Sequence, residues 1–112
     1  MKETSIRRGD IWWVSLDPTQ GSEIKKTRPC VVITHDTLNS LRKTVVIIPL
    51  STAAKPHPPI SVPVTCQDTS AVAIIDQIRA VAKHRLISRI ESMSDEEIDE
   101  ICEAISTILE LR

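Results

Sequence analysis

Between Lys25 and Ile33 the chain reads Lys-Lys-Thr-Arg-Pro-Cys-Val-Val-Ile, with Arg28 at the last polar position before a run of strand-forming residues. Pro29 fixes its own backbone, has no N–H to give a neighbouring strand and pushes the preceding residue toward extended geometry. It therefore suits a strand start and holds Arg28 on a strand lip. A guanidinium in that place stays protonated and offers forked donors that match phosphate oxygens. Lys25 and Lys26 add positive charge beside it, which attracts phosphate. A hydroxyl pair, Ser51-Thr52, leaves the apolar run of residues 44–50 in a comparable position. Those hydroxyls either satisfy backbone groups in a turn or contact a phosphate at the same sheet lip as Arg28. On residue type alone, a solvated arginine and two solubilising lysines account for the same pattern.

The remaining polar chemistry is sparse. Cys30, Cys66 and Cys102 are odd in number, far apart and without a C-x-x-C pair, so neither a disulfide framework nor a zinc site is indicated. His35, His57 and His84 are isolated from any second ligand type at metal spacing. The expectation is chemistry without a metal or cofactor.

The elements that must position Arg28 and Ser51 follow from pattern. The 112 residues, 41% hydrophobic and 26% charged, suit one domain spanning 1–112. Two Trp and no Phe or Tyr leave a core of Ile, Val, Leu and Ala. Residues 11–16 read as a first strand between the turn signals Gly9-Asp10 and Asp17-Pro18. Alternation sends Trp12 and Trp13 to opposite faces, one to the core and one to solvent, a partner or a ligand; an exposed Trp can stack an RNA base. Residues 17–27 form a polar connection and a candidate ligand loop. Residues 28–34, apolar on both faces, are a central strand, 35–43 a turn or short helix, and 44–50 a third strand. Pro56, Pro58 and Pro59 keep the following loop extended. Residues 60–64 alternate as a strand, with Pro63 marking an edge or bulge.

Residues 72–75 are another short strand, and the alternation that continues through residue 81 places Asp76, Gln77 and Arg79 on a strand or its bulge rather than a helix. Residues 85–90 fit a last strand or a helical turn. Ser94-Asp95-Glu96-Glu97 is a capping box, and Ile98, Ile101, Cys102, Ile105, Ile108 and Leu109 recur at helical spacing, so residues 94–109 form an amphipathic helix whose Ile stripe packs on the sheet.

Charge is segregated along the chain. Residues 1–90 hold 13 Lys/Arg against 7 Asp/Glu, and residues 91–112 hold one against eight. A basic body with an acidic terminal segment suits a polyanion-binding face turned away from that segment. No apolar run reaches the length of a membrane span, and the first residues lack the apolar centre of a signal peptide, so a cytoplasmic protein is expected.

Laid out in this order, the chain resembles the MazF/PemK family of toxin endoribonucleases, the killer halves of bacterial toxin–antitoxin pairs. The residues that carry the resemblance are Arg8-Gly9-Asp10-Ile11-Trp12 followed by Leu16-Asp17-Pro18, then Gly21-Ser22-Glu23, Thr27-Arg28-Pro29, Ile48-Pro49-Leu50-Ser51 and Asp76-Gln77-Ile78-Arg79. The resemblance implies a mainly β fold, a small, partly open SH3-like barrel of the CcdB/PemK type with a C-terminal helix. It also implies a homodimer that cleaves single-stranded RNA at short motifs, and a cognate antitoxin whose acidic, disordered segment covers the basic groove and blocks Arg28.

In that family the Arg of the R-P motif and a Thr or Ser ending the next long strand carry catalysis; here they are Arg28 and Ser51. The implied reaction is attack of the ribose 2′-OH on the adjacent phosphate, leaving a 2′,3′-cyclic phosphate and a 5′-OH without a metal. Arg28 stabilises phosphorane charge and is too basic to take the proton; Glu23 and Asp76 are the candidate bases. One branch of the family uses a His before the loop Glu and an Arg before the Asp. Ser22 and Ile75 stand there instead, which moves weight onto Arg28 and Ser51. An ion pair with a neighbouring Arg is the other use for Asp76. Lys25, Lys26, Thr27, Thr52, Gln77 and Arg79 are the expected RNA-binding residues, with base choice coming from the loops 17–27 and 52–59. Two other readings stay open: a non-catalytic, CcdB-like toxin that binds DNA gyrase, and an inactive SH3-like nucleic-acid-binding module.

Overall fold

The computed structural model describes residues 5–16 and 27–111. Seven strands, β1 (Asp10–Ser15), β2 (Thr27–Val32), β3 (Thr44–Ser51), β4 (Ser61–Cys66), β5 (Thr69–Ile74), β6 (Arg79–Ala82) and β7 (Leu86–Ser92), form one antiparallel sheet. Its order is β4-β5-β3-β2-β1-β7, with β6 also on β3. The sheet is partly open, and helix α2 (Asp95–Ile108) packs on one face; a short α1 (Asp36–Leu41) joins β2 to β3.

Alternation along the strands produces two aliphatic clusters. Ile11, Val31, Ile48, Leu50, Val62 and Val64 lie under α2 with Ile98, Ile101 and Ala104. Trp12, Val14, Cys30, Val32, Val45 and Ile47 fill the other face. Residues 11–14 separate as the alternation requires: Trp12 is 6% exposed and Trp13 36%. The β1–β7 ladder shifts register at two points, which bends β1 around the core. Gly9, at φ +94, takes a backbone conformation that a side chain would strain, while its N–H and C=O tie into Val32 and Met93. Asp10, beside it, accepts from the Arg7 N–H at 3.1 Å and pairs with Arg89 at 3.2 Å.

The N-cap of α2 forms half of the expected box. Ser94 Oγ accepts from the Glu97 N–H, but the Glu97 carboxylate accepts instead from the Thr65 N–H at 2.9 Å, fastening the helix to β4. Ile98, Ile101 and Ala104 are buried, whereas Leu109 at the C-cap is exposed. Of residues 85–90, Leu86 onward lie in strand β7, and Arg85 ends the 3-10 turn that precedes it.

Two local readings are corrected. Asp76 and Gln77 lie in a single 3-10 turn (Ile75–Gln77), not on a strand; of the three residues read together, Arg79 alone is in β6. The cause is β3, whose one edge serves two strands: β6 pairs with residues 44–47 and β5 with Leu50 and Ser51. Ile48 and Pro49 fall in the gap, and the chain needs a turn to step between the ladders. Secondly, β5 begins at Thr69 rather than near residue 72, because β4 and β5 form a tight hairpin whose two turn residues, Gln67 and Asp68, both have positive φ.

Candidate active site

The end of β2 and the end of β3 meet at one lip of the sheet. Pro29 lies opposite Trp13, Arg28 opposite Val14 and Thr27 opposite Ser15 on β1. On the other side of β2 the last ladder pair is Cys30 with Pro49. Two residues further along the same antiparallel register, Arg28 stands across from Ser51. Both side chains are half-buried. Among the described residues the Arg28 guanidinium has neither a hydrogen-bond nor an ion-pair partner, so none of them occupies its forked donors.

Ser51 Oγ accepts from the N–H groups of Ala53 and Ala54, each at 3.1 Å. The hydroxyl therefore does hold the turn that leaves β3. With both lone pairs engaged it cannot accept a proton, but its O–H remains able to donate.

Two cavities flank this pair, and Arg28 with Ser51 lines both. The larger, about 420 Å³, is bounded by Trp13, Thr27, Thr52, Gln67 and Thr69 over a floor that includes Leu50. The smaller, about 220 Å³, is bounded by Pro49, Ala54, Ile74 and Gln77. The strand lip is thus a charged, hydrogen-bonding wall between two partly apolar hollows.

Beneath the wall, burial pushes the Cys30 thiol up to about 12, against the opposing pull of the Arg28 and Arg79 guanidiniums. Cys30 is therefore a protonated, unreactive thiol, and both cations lie within electrostatic reach of it. Cys66, at the wall of the larger cavity, is also raised, by burial first and the Glu91 carboxylate second. Neither thiol is poised as a nucleophile.

Of the residues expected from sequence, Arg28, Ser51, Thr27 and Thr52 come together at the larger cavity, and Gln77 reaches the smaller one. Asp76 is exposed on the adjacent turn, lines neither cavity and makes no ion pair among the described residues. Arg79 faces Ile47 across the β3–β6 ladder, outside both cavities. Glu23, Lys25 and Lys26 lie outside the described residues. Trp13 is the tryptophan that reaches the site. Gln67 and Thr69 enter it from the β4–β5 hairpin, where two strand-like runs separated by a two-residue polar turn were the available signal; Gln-Asp is a weak one, since neither residue is Gly or Asn. No group of three or more His, Cys, Asp or Glu able to hold a metal ion occurs among the described residues.

Residues 7–109 match the family described as PemK-like, MazF-like toxin of type II toxin–antitoxin system. The chain is 35% identical to endoribonuclease MazF9 of Mycobacterium tuberculosis, over 95% of this chain and 98% of that one. It is 34% identical to endoribonuclease MazF of Staphylococcus saprophyticus, over 95% and 92%. Among solved structures, a MazE–MazF crystal form from Deinococcus radiodurans superposes with a TM-score of 0.84 at 19% identity, covering 98% of this chain and 100% of that one. A mycobacterial endoribonuclease in complex with its cognate antitoxin superposes at 0.80 and 20% identity, covering 95% and 96%. With the family match spanning residues 7–109 and relatives of 34–35% identity over nearly the full chain, the protein belongs to the PemK-like, MazF-like toxins of type II toxin–antitoxin systems.

Proposed function

We propose that this toxin is a sequence-specific endoribonuclease that cuts single-stranded mRNA by internal transfer at the Arg28–Ser51 wall. The ribose 2′-OH attacks the adjacent phosphorus, and its proton passes to a base. The P–O5′ bond breaks, and O5′ leaves as a hydroxyl after taking up a proton. The products are a 2′,3′-cyclic phosphate and a 5′-OH.

The observation that carries this reading is the juxtaposition of a guanidinium without a partner among the described residues and a hydroxyl with only its proton to give, between two hollows, one for the nucleoside on either side of a phosphate. Arg28 supplies two charge-assisted donors to the phosphorane, where charge grows most. Ser51 adds a third donor and cannot be the base. Asp76 and Glu23 are the candidate proton acceptors. Thr27, Thr52 and Gln77 border the RNA path, and Lys25, Lys26 and Arg79 contribute positive field around it. No metal is required, because Arg28 provides the charge stabilisation.

The chain acts as a cytoplasmic homodimer and is held inactive by a cognate antitoxin, whose acidic segment lies over Arg28 and the larger cavity. No helix among the described residues is long and apolar enough to cross a membrane.

The test is incubation of the purified protein with a long single-stranded RNA in EDTA, followed by mapping of the 5′ ends. Discrete cuts bearing 5′-OH, lost in Arg28→Ala and weakened in Ser51→Ala, are expected. Intact RNA overturns the reading in favour of a binding module or a gyrase-directed toxin, and cutting that needs added Mg²⁺ overturns the metal-free step.

A further inference from the structure

The larger cavity contains a device that catalysis does not use. The β4–β5 hairpin turns through Gln67 and Asp68 at φ 53 and 60, a two-residue turn of the kind that fixes strand register tightly. Its tip is anchored from outside the hairpin: the Gln67 backbone N–H donates to the Glu91 carboxylate of β7 at 2.7 Å. Thr69 Oγ1 donates to the Gln67 carbonyl at 3.3 Å. The backbone of Gln67 is thus held from both sides, while its side-chain amide is exposed and without a partner among the described residues. Gln67 lines the same cavity as Trp13 and Arg28.

A carboxamide on a fixed backbone, lining the same cavity as an exposed indole and Arg28, is suited to reading a base. Single-stranded RNA is recognised by splayed bases that stack on aromatic side chains and hydrogen-bond along their edges. A carboxamide offers one donor and one acceptor side by side, the pattern that pairs with adenine, whereas a carboxylate offers acceptors alone and suits cytosine N4.

We infer that Gln67 sets the base preference at one nucleotide next to the cut, that this base stacks on Trp13, and that Glu91 is a positioning residue that acts by fixing the hairpin tip. The inference rests on the cleavage reading above and adds the identity of a specificity determinant to it. Gln67 favours adenine in the cavity.

The experiment sequences the 5′ ends generated from a long RNA by wild type, Gln67→Ala, Gln67→Glu, Glu91→Ala and the Gln67→Ala/Glu91→Ala pair, each with its melting temperature. In Gln67→Ala the preference at one position beside the cut falls about tenfold while the other positions keep theirs. In Gln67→Glu the preferred base at that position moves toward cytosine. Glu91→Ala broadens the same position, and the double variant is no broader than Gln67→Ala. An unchanged cut motif in both Gln67 variants, or uniformly slower cutting at every site, overturns the inference while leaving the cleavage reading in place. Intact RNA with wild type overturns both. Broadening at all positions by Glu91→Ala, together with a fall in melting temperature, overturns the positioning role.

Discussion

If Arg28 and Ser51 hold one phosphorane between them, removing them is unequal in size and non-additive in combination. Arg28→Ala removes two charge-assisted hydrogen bonds, each worth about 1.5–3 kcal/mol. The loss is about 3–6 kcal/mol, or roughly 10²–10⁴ in kcat/KM at 1.36 kcal/mol per decade. Ser51→Ala removes a single donor to the same charged group, about 1.5–3 kcal/mol, or roughly 10- to 10²-fold. It also deprives the Ala53 and Ala54 N–H groups of their acceptor. Ala53 is exposed and Ala54 half-buried, so water replaces most of that contact and the fold loses on the order of 1 kcal/mol or less. Ser51→Thr keeps the hydroxyl and the turn and recovers activity to within a few-fold of wild type. Arg28→Lys keeps the charge but not the fork and falls between wild type and Arg28→Ala. The assay is single-turnover cleavage of a short oligonucleotide containing one cut site. The combined Arg28→Ala/Ser51→Ala loss should fall short of the product of the single losses, since either change already leaves the phosphorane poorly held. Strict multiplicativity, or a Ser51→Ala defect as large as that of Arg28→Ala, refutes a shared target.

Two further predictions concern the scaffold. The Cys30 thiol is raised from 9.0 to about 12 in the folded chain, so the stability tied to its protonated form is complete below pH 9 and is lost as pH rises toward 12. The loss amounts to about 2 kcal/mol by pH 10.5, at 1.36 kcal/mol per unit. Urea unfolding should show this slope in wild type and not in Cys30→Val; parallel pH dependences count against it. At Asp10 the ion pair is asymmetric, with the carboxylate side chain 5% exposed and that of Arg89 43%. Arg89→Ala strands a buried charge and costs about 2–3 kcal/mol, less than a fully buried pair would lose because Arg89 is partly solvated. Asp10→Ala releases Arg89 to water and takes the acceptor from the N–H of the exposed Arg7, about 1 kcal/mol, and should cost less in the same unfolding assay; the reverse order contradicts this account.

The strands nearest the Arg28–Ser51 lip were legible because their signals are local. A proline beside Arg28, Val-Val-Ile runs on both sides and a hydroxyl at the end of β3 identify the two strand ends without knowledge of their neighbours. Their confrontation then follows from one register. What was not legible depends on distant pairing. Asp76 and Gln77 continue an alternating pattern, yet they turn, because β5 and β6 share an edge of β3 that neither segment records. Gln67 reaches Arg28 through the pairing of Ser51 with Val72 and Leu50 with Ala73, a contact between segments some twenty residues apart. A Gln-Asp turn carries no mark of that destination.

The acidic segment also acquires a role that charge counting missed. β4 ends the sheet on one side, as β7 does on the other, and an end strand ordinarily presents unpaired N–H groups to any chain that can add to it. By alternation Ser61, Pro63, Thr65 and Gln67 share one side of this strand and its turn. The Ser61 N–H donates back to the His57 carbonyl, and Pro63 has none. The Thr65 and Gln67 N–H groups donate to Glu97 and Glu91. From 61 to 67, therefore, no donor on that side is free for an incoming strand. Two carboxylates that composition alone assigns to solvation close the edge and hold the hairpin whose tip reaches the Arg28 cavity. The segregated charge is structural as well as electrostatic: the acids grip the hairpin at its outer edge. Strand addition along that side of β4 therefore finds no backbone N–H to receive it.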